Sequence, residues 1–472
     1  MHFQHPQFAF ICIKSVVMKI VLLSLIIIYT SLSFAQTKVG FFKRLSSTRM
    51  VEKGIEQYNL GGTSDAFMTF KQAIVFNPYS AKAMYYLASV EFELKSFYEA
   101  ETHVGAALRL NDKKLNGDLH LLAGQIHHNL NHLDSAISHY EKCTKLIGEK
   151  LANEYNIPVL LAQSNFAKKE QEKGIVSMRI PLTEINTKYD EYAPILTQGG
   201  QALYFTAKNP DAKGDNVNPE DQSYFEDIYL SFWNDTTKSY KITYSEDTDW
   251  NTEGFDALNC VLSDGMHAYG TLNTSASKEK TTESSEIFEL TAEKPFAWDE
   301  QKMVKIPGVN TSFFDGSACM TDTFMIDEYT YKRELYFVSD RRAEKSLTDL
   351  FVATETNGVW GESVIALPDF INTTGRETTP FITEDGSLLF FSSDALPGMG
   401  GYDVYFCKRN ANQWSNPVNL GAAFNTVNDD THFQYYPSLG KAVMAGLSEL
   451  DGLFNYNIFQ IDFRGTSYPF MK

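Results

Sequence analysis

Small and aromatic residues recur at a fixed spacing in the first third of the chain. The recurring unit has an alanine, an apolar residue four places later and a small residue three places after that. Its three copies are Ala66-Phe70-Ala73, Ala100-Val104-Ala107 and Ala136-Tyr140-Cys143, so the marker alanines lie 34 and 36 residues apart. Such spacing predicts pairs of antiparallel helices that meet at small residues. A further amphipathic stretch, Pro158 to Gln171, is expected to cap the array, which we assign to residues 41–172.

This period resembles that of the tetratricopeptide family, whose first helices line a concave binding face. The resemblance implies a mixed aromatic and polar groove formed by Tyr58, Asn59, Lys82, Tyr85, Phe92, Gln125, His128 and Asn129. Chaperone-binding members hold a terminal carboxylate with Lys and Asn at set positions. Those positions are here Val51, Ile55, Tyr86, Asp118 and Leu122, so this activity is not implied.

From residue 186 the pattern changes to short β-rich runs separated by Gly, Asp and Asn. An Asn-Thr pair with an acidic residue five places after the Asn occurs five times, and its copies lie 65, 59, 62 and 53 residues apart. This period accommodates four strands and their turns. The sequence therefore predicts a five-bladed, all-β propeller after an α-helical array. The repeated acids are Glu191, Asp256, Asp315, Glu377 and Asp430.

The two ends of the β-rich region predict how the ring closes. The fifth unit has a third strand up to Phe463 but no fourth strand like that of the other units, whereas residues 176–182 before the first unit resemble one. We expect this segment to complete the last blade and to remove two exposed sheet edges. The propeller domain would then cover residues 176–472.

The sequence segment Pro380 to Phe406, in the fourth unit, resembles the WD-like blades of the TolB propeller family. Thr383-Glu384-Asp385-Gly386 and Gly400-Gly401-Tyr402-Asp403 carry the resemblance. Together with tetratricopeptide units and an export signal, it is similar to envelope proteins of Bacteroidota, and relatives with an OmpA-like domain serve type IX secretion and gliding. The sequence has no such domain after the propeller, so direct attachment to the cell wall is not expected.

The first 35 residues read as a secretory signal rather than as part of the fold. Lys19 precedes the apolar run 20–29, and Ser33-Phe34-Ala35 forms a cleavage-site pattern, with Met18 as the expected start. The alternative is an uncleaved anchor lengthened by residues 8–17. Export would place the protein in the periplasm or at the outer membrane, with membrane association only through partners or through that anchor.

Charge and motifs limit the function classes. The net charge of −18, from 59 acidic and 41 basic residues, makes nucleic acid an improbable partner. No nucleophile elbow, P-loop or H-E-x-x-H helix occurs, so we expect no catalytic residues and no cofactor. His127, His128 and His132 stand next to asparagines, and a satisfied or exposed role is favoured over metal binding. Four cysteines, Cys143, Cys260, Cys319 and Cys407, are expected to be free thiols, although Cys260 and Cys319 occupy equivalent places in neighbouring units.

The repeated acids leave two interpretations open. Paired carboxylates at a propeller funnel would suit glycoside hydrolysis, but that chemistry needs two acids in different environments. Five acids at one repeated position favour a structural role in the connection between blades. The leading hypothesis is therefore a non-catalytic scaffold for protein or peptide partners in the cell envelope, and the alternative is a glycan-binding or glycan-hydrolysing propeller.

Overall fold

The computed structural model describes residues 39–213, 217, 223–243, 250–252, 254–273, 285–297, 302–342, 347–411 and 413–471. The expected signal segment lies outside these residues. Within them, no helix has both the length and the apolar character needed to cross a membrane.

The first part of the described chain is an array of antiparallel helices. Each helical pair closes on small residues: a side chain at Gly54 would come within 2.5 Å of the Phe70 ring, and one at Gly124 within 2.4 Å of the Tyr140 ring. These contacts explain the small and aromatic pattern of the sequence. The helices are α1 (Phe41–Asn59), α2 (Thr63–Phe76), α3 (Ala81–Glu93), α4 (Phe97–Leu110), α5 (Asn116–Asn129), α6 (Leu133–Ile147), α7 (Glu149–Glu154) and α8 (Ile157–Glu172).

The turns inside the three helical pairs share one hydrogen-bond pattern. In each pair, a carbonyl in the last turn of the first helix accepts a hydrogen bond from the backbone N–H of the residue five positions later. The donors and acceptors are Gly62 and Gln57 (2.9 Å), Ser96 and Glu91 (2.8 Å), and His132 and His127 (2.7 Å). The residue before each donor has a positive φ, at Gly61, Lys95 and Asn131. This is the Schellman closure of a helix end, and it places residues i and i+5 next to each other.

Five antiparallel sheets of four or five strands follow, and they form the blades of the predicted five-bladed propeller. Blade 1 has β2 (Glu191–Thr197), β3 (Ala202–Lys208), β4 (Glu226–Asn234) and β5 (Ser239–Thr243), and blade 2 has β6 (Phe255–Val261), β7 (His267–Asn273), β8 (Glu286–Thr291) and β9 (Lys302–Lys305). Blade 3 has β10 (Asp315–Met320), β11 (Phe324–Met325), β12 (Tyr331–Ser339), β13 (Asp349–Thr356) and β14 (Val359–Ala366). Blade 4 has β15 (Glu377–Ile382), β16 (Leu388–Ser393), β17 (Asp403–Asn410), β18 (Gln413–Trp414) and β19 (Val418–Asn419), and blade 5 has β20 (Asp430–Tyr436), β21 (Lys441–Leu450), β22 (Leu453–Asp462) and β1 (Ile180–Pro181).

The outer strand of blade 5 comes from the segment between the array and blade 1. Ile180 pairs with Gln460 and Pro181 with Phe459, so β1 lies antiparallel to β22. The regular strand is shorter than the expected span of 176–182, because only two of its residues form ladder pairs. The backbone on both sides is nevertheless held, since Met178 N–H donates to Ala423 O and Leu182 N–H donates to Ile458 O.

Arg179 connects this closing segment to β20, the strand at the opposite edge of the blade 5 sheet. Its guanidinium Nη1 lies 2.5 Å from Asp430 Oδ1, and the two side chains are 5% and 0% exposed. The guanidinium also lies over the Phe459 ring, 3.9 Å from its centroid. A planar guanidinium can donate two hydrogen bonds to a carboxylate and stack on an aromatic ring at the same time. The buried contact of Arg179 with Asp430 and Phe459 therefore allows only one arrangement of the closing segment.

We predict that Arg179→Ala destabilises the propeller by about 3–5 kcal/mol, because it removes the cationic partner of the buried Asp430 carboxylate and leaves that group only its hydrogen bonds from Thr426. Urea unfolding followed by tryptophan fluorescence measures this effect on the propeller alone, since Trp233, Trp250, Trp298, Trp360 and Trp414 all lie in that domain. Adding Asp430→Asn should restore part of the lost stability. Equal stability of Arg179→Ala and the unchanged protein would contradict a closing role for this contact.

Candidate functional site

The Asn of each repeated signature joins two consecutive blades. Its side chain accepts the N–H and donates to the C=O of one residue in the third strand of the preceding blade, at 2.7–3.0 Å. The amide therefore acts as a short piece of β-ladder. The five pairs are Asn186 with Ile458, Asn251 with Ile228, Asn310 with Ile287, Asn372 with Leu350 and Asn425 with Val404.

The Thr and the acid of the same signature close the turn that follows. In every copy the acid accepts hydrogen bonds from the N–H and from the hydroxyl of the Thr four residues before it. The acids are at most 1% exposed. Glu191, Asp256, Asp315, Glu377 and Asp430 thus occupy equivalent buried turns between blades, and the structure does not bring them together in an open funnel.

The carboxylates of these turns differ in charge balance. Asp315 has Arg341 at 2.5 Å and Asp430 has Arg179 at 2.5 Å. Burial raises the pKa of Glu191 from its ordinary 4.5 to about 7, against the lowering effect of the Thr187 bonds. Burial likewise raises the pKa of Asp256 from 3.8 to about 7. Both acids therefore bind a proton more strongly in the folded protein than in the unfolded chain.

We predict from these two pKa values that the propeller loses stability as pH rises. A raised folded pKa gives a contribution that is complete below about pH 4 and is lost as pH passes through about 7. Asp256→Asn removes one such group, so the fall in propeller Tm between about pH 5 and about pH 8 should become smaller.

Differential scanning calorimetry at both pH values tests this, with the exposed Glu141→Gln as the matched control. An unchanged pH dependence in Asp256→Asn would show that this carboxylate is already ionised in the folded state.

The centre of the propeller is a channel that narrows between two wider mouths. Each inner strand is irregular at the channel, and Ala193, Ser317, Thr379 and His432 have positive φ there. The constriction they line with Asn259, Phe381 and Gln434 leaves only about 10 Å³ of space. Above it, a mouth of about 330 Å³ is lined by Tyr192, Tyr402, Tyr456, Asp190 and Glu226.

The second mouth, at the far end of the inner strands, measures about 430 Å³. Cys260 and Cys319 line it with Phe381 and Tyr436, and their Sγ atoms lie 3.7 Å apart. All four described cysteines are free thiols.

The array meets the propeller through the turns of its helical pairs. In the turn between α3 and α4, Lys95 Nζ lies 3.3 Å from Asp190 Oδ1 and above the Tyr456 ring. At the start of α4, the Phe97 ring packs against Phe454 at 4.8 Å and Tyr98 donates to Glu449 at 2.7 Å. The upper channel mouth therefore has a side chain of the array, Lys95, in its wall.

A second contact forms where α5 and α8 approach blades 4 and 5. Leu133 and Ala167 pack with Met399 and Val427. His128 Nδ1 and Ser164 Oγ form a hydrogen bond of 2.8 Å. Burial lowers the pKa of His128 to about 4. A side chain at Gly400 would come within 2.1 Å of His128 Nε2. The close packing of the two domains therefore requires a glycine at this position.

The structure separates the eight residues expected in the groove. Tyr58 donates to Glu93 of α3, Lys82 is exposed above the Tyr86 ring, and the Tyr85 ring packs edge-on against the Tyr86 ring at 5.1 Å. The bond from Tyr58 to Glu93 joins the first helices of two successive pairs. Asn59 is exposed at the end of α1, Phe92 packs on Phe97, and Gln125 is half-buried.

Two of the expected groove residues lie elsewhere. His128 is buried at the junction with the propeller and does not reach an open groove. Asn129 donates to Gln125 O and lines a crevice of about 460 Å³ between the two domains. The sequence pattern predicted that His128 and Asn129 lie on α5, and this helix contains both. It did not indicate that the propeller covers the C-terminal end of α5.

Other functional contacts were not predicted from the sequence. Arg179 and Lys95 are single residues without a repeat partner, so no period marks them. The sequence favoured a satisfied or exposed role for the array histidines over metal binding and did not point to Glu101. In the structure Glu101 of α4 lies next to His127 and His132, with candidate ligand atoms all within 4.8 Å of one another. Only the packing of α4 on α5 makes this visible.

Comparisons with known proteins concern the helical part alone. No family model matches this chain, and no curated protein matches it. Among solved structures it is similar to the first tetratricopeptide domain of human RPAP3 (24% identity, 26% of this chain and 97% of that one, TM-score 0.23). It is also similar to the N-terminal domain of STI-1 from C. elegans (19%, 25% and 96%, TM-score 0.23) and to the Yersinia enterocolitica type III secretion translocator chaperone SycD (16%, 26% and 94%, TM-score 0.24).

These similarities concern fold only, and the assignment rests on the helices and strands described above. The chain combines a tetratricopeptide-like helical array with a five-bladed β-propeller. Stacked helical repeats of this kind form an extended concave surface.

Proposed function

We propose that this protein is an exported scaffold that binds a protein or peptide partner in the groove of its helical array. The observation that carries the proposal is the way the two domains meet. The propeller contacts the turns of the helical pairs and α8. Tyr58, Lys82 and Tyr85 on α1 and α3 belong to a different face, the one that the first helices of successive pairs share.

The chemistry of this face suits an extended peptide segment. Tyrosine rings provide large contact area at low conformational cost, and such residues are enriched among the groups that dominate binding energy. Glu93 accepts a hydrogen bond from the Tyr58 hydroxyl, and the Tyr85 ring packs against the Tyr86 ring at 5.1 Å, so both rings are oriented before a partner arrives. The negative charges of Glu93 and Asp118 act on Tyr58 and Tyr85 and favour a partner segment with basic residues.

The proposed location is the periplasm or the outer membrane, and the proposed process is type IX secretion or gliding. The signal-like pattern of residues 1–35 supports the proposed location. The resemblance of the segment Pro380 to Phe406 to TolB propellers supports the proposed process. A rigid propeller attached to a peptide-binding array would present two surfaces to an envelope assembly. We propose the scaffold as an accessory of such an assembly.

A second candidate function is ligand binding at the upper channel mouth. Tyr192, Tyr402 and Tyr456 with Asp190 and Glu226 form a mixed aromatic and charged cavity of about 330 Å³, which fits a small polar ligand such as a glycan. The five repeated acids take no part in it. This candidate therefore concerns binding without the hydrolysis that those acids would have supplied.

We predict that replacing Tyr58 and Tyr85 with Ala weakens partner binding more than about tenfold, because two aromatic anchors are lost. The measurement is affinity purification from the native envelope with quantitative mass spectrometry. Lys82→Glu, a change at an exposed position, adds negative charge to this face and should strengthen binding of a basic partner segment. Lys145→Ala on the exposed side of α6 is the control.

If the unchanged protein and the three variants all recover the same partners in the same amounts, the result would contradict binding in the groove. Recovery of partners from outside the envelope would contradict the proposed location.

We also predict that the mature protein begins after Ala35 and fractionates with the periplasm or the outer membrane. N-terminal sequencing of the protein purified from its source, together with cell fractionation, checks this. An intact N-terminus in the cytoplasmic fraction would reject export, and an intact N-terminus in the membrane fraction would favour the anchor.

A further inference from the structure

A histidine pair is built into the end of the third helical pair. The turn between α5 and α6 closes with the bond from His132 N–H to His127 O at 2.7 Å, helped by the positive φ of Asn131. The same closure in the other two pairs brings together Gln57 with Gly62 and Glu91 with Ser96. Only in the third pair do both positions carry an imidazole, and their rings lie 5.8 Å apart.

A carboxylate from the neighbouring pair completes the group. Glu101 of α4 places Oε1 3.3 Å from His127 Nδ1 and 3.5 Å from His132 Nδ1. His127 Nδ1 is buried, yet it has no hydrogen-bond partner within the described part of the chain. The Glu101 oxygen is close to it, but the two atoms do not form a hydrogen bond.

Two further histidines pack beside this group. The His139 ring stacks on the His127 ring, with their centroids 5.2 Å apart. His120 Nδ1 lies 2.7 Å from His139 Nδ1, which requires one of the two rings to be unprotonated there. Neutral imidazole is the form that binds metal ions.

Two of the three separations between candidate ligand atoms match a tetrahedral metal centre, and the third lies within 4.8 Å. Bonds of 2.0–2.1 Å to nitrogen or oxygen at the tetrahedral angle separate two ligand atoms by about 3.3–3.4 Å. The two measured separations from Glu101 Oε1 are 3.3 and 3.5 Å. Two histidines and one carboxylate form a common zinc ligand set that leaves a fourth position for water.

We propose that Glu101, His127 and His132 bind one Zn²⁺ ion at the surface of the helical array. The ion connects α4 to the turn between α5 and α6. That turn also contacts the propeller through His128 and Leu133, so the metal stiffens the side of the array on which the propeller rests. His132 is 52% exposed, and the ion exchanges with solvent from that side.

The test is isothermal titration of the untagged, metal-free protein with ZnCl₂, together with the Tm of the helical array followed by circular dichroism at 222 nm. We expect one Zn²⁺ per chain and a Tm that increases with zinc concentration, because the ion binds the folded state alone. His132→Ala should weaken binding at least about tenfold, and His127→Gln with His132→Ala should abolish it.

His103→Gln is the matched control, because His103 lies on α4 with Glu101 but is bonded to Glu91, 2.8 Å away. The exposure of His132 keeps the test valid if the His127 variant fails to fold. Absence of binding up to millimolar zinc, or equal affinity in His132→Ala and the unchanged protein, would overturn the proposal. Equal loss in His103→Gln would do the same.

Discussion

The burial of a polar signature between blades is the constraint on which the propeller depends. Each Asn continues the hydrogen bonding of the preceding blade, and each acid holds the turn that starts the next one. Buried polar groups stabilise a structure only when their hydrogen bonds are complete. Five nearly identical sets of bonds therefore fix the angle between blades, and with it the size of the ring.

The same constraint explains why the channel and the acids have separate roles. Because the five carboxylates are used in the turns, the channel is lined by the irregular part of the inner strands and narrows to almost nothing at its centre. Two mouths remain, with different linings: tyrosines with Asp190 and Glu226 line the upper one, and Cys260, Cys319 and Phe381 with Glu384 and Asp385 line the lower one. The narrow centre separates the two mouths from each other.

The array is fixed to the propeller by its turns rather than by its grooved face. Lys95, Phe97 and His128 all lie at or next to a turn between paired helices. Such an arrangement leaves Tyr58, Lys82 and Tyr85 of the first helices outside the contacts with the propeller, as the proposed function requires. The histidine pair and Glu101 lie at the same edge, so metal binding and domain contact involve one turn.

The sequence by itself determined the helical period, the blade number and the buried repeated acids, because a repeated unit leaves the same local chemistry at fixed intervals. It also pointed to a closing segment before blade 1, since the fifth unit has no fourth strand of its own. The positions of Arg179, His128 and Glu101 were decided by tertiary structure alone. Each of these side chains acts across a contact between segments far apart in the chain: Arg179 with Asp430, His128 with Gly400, and Glu101 with the turn at His132. A single sequence has no period or spacing that records such contacts, so only the packing of one unit on another reveals them.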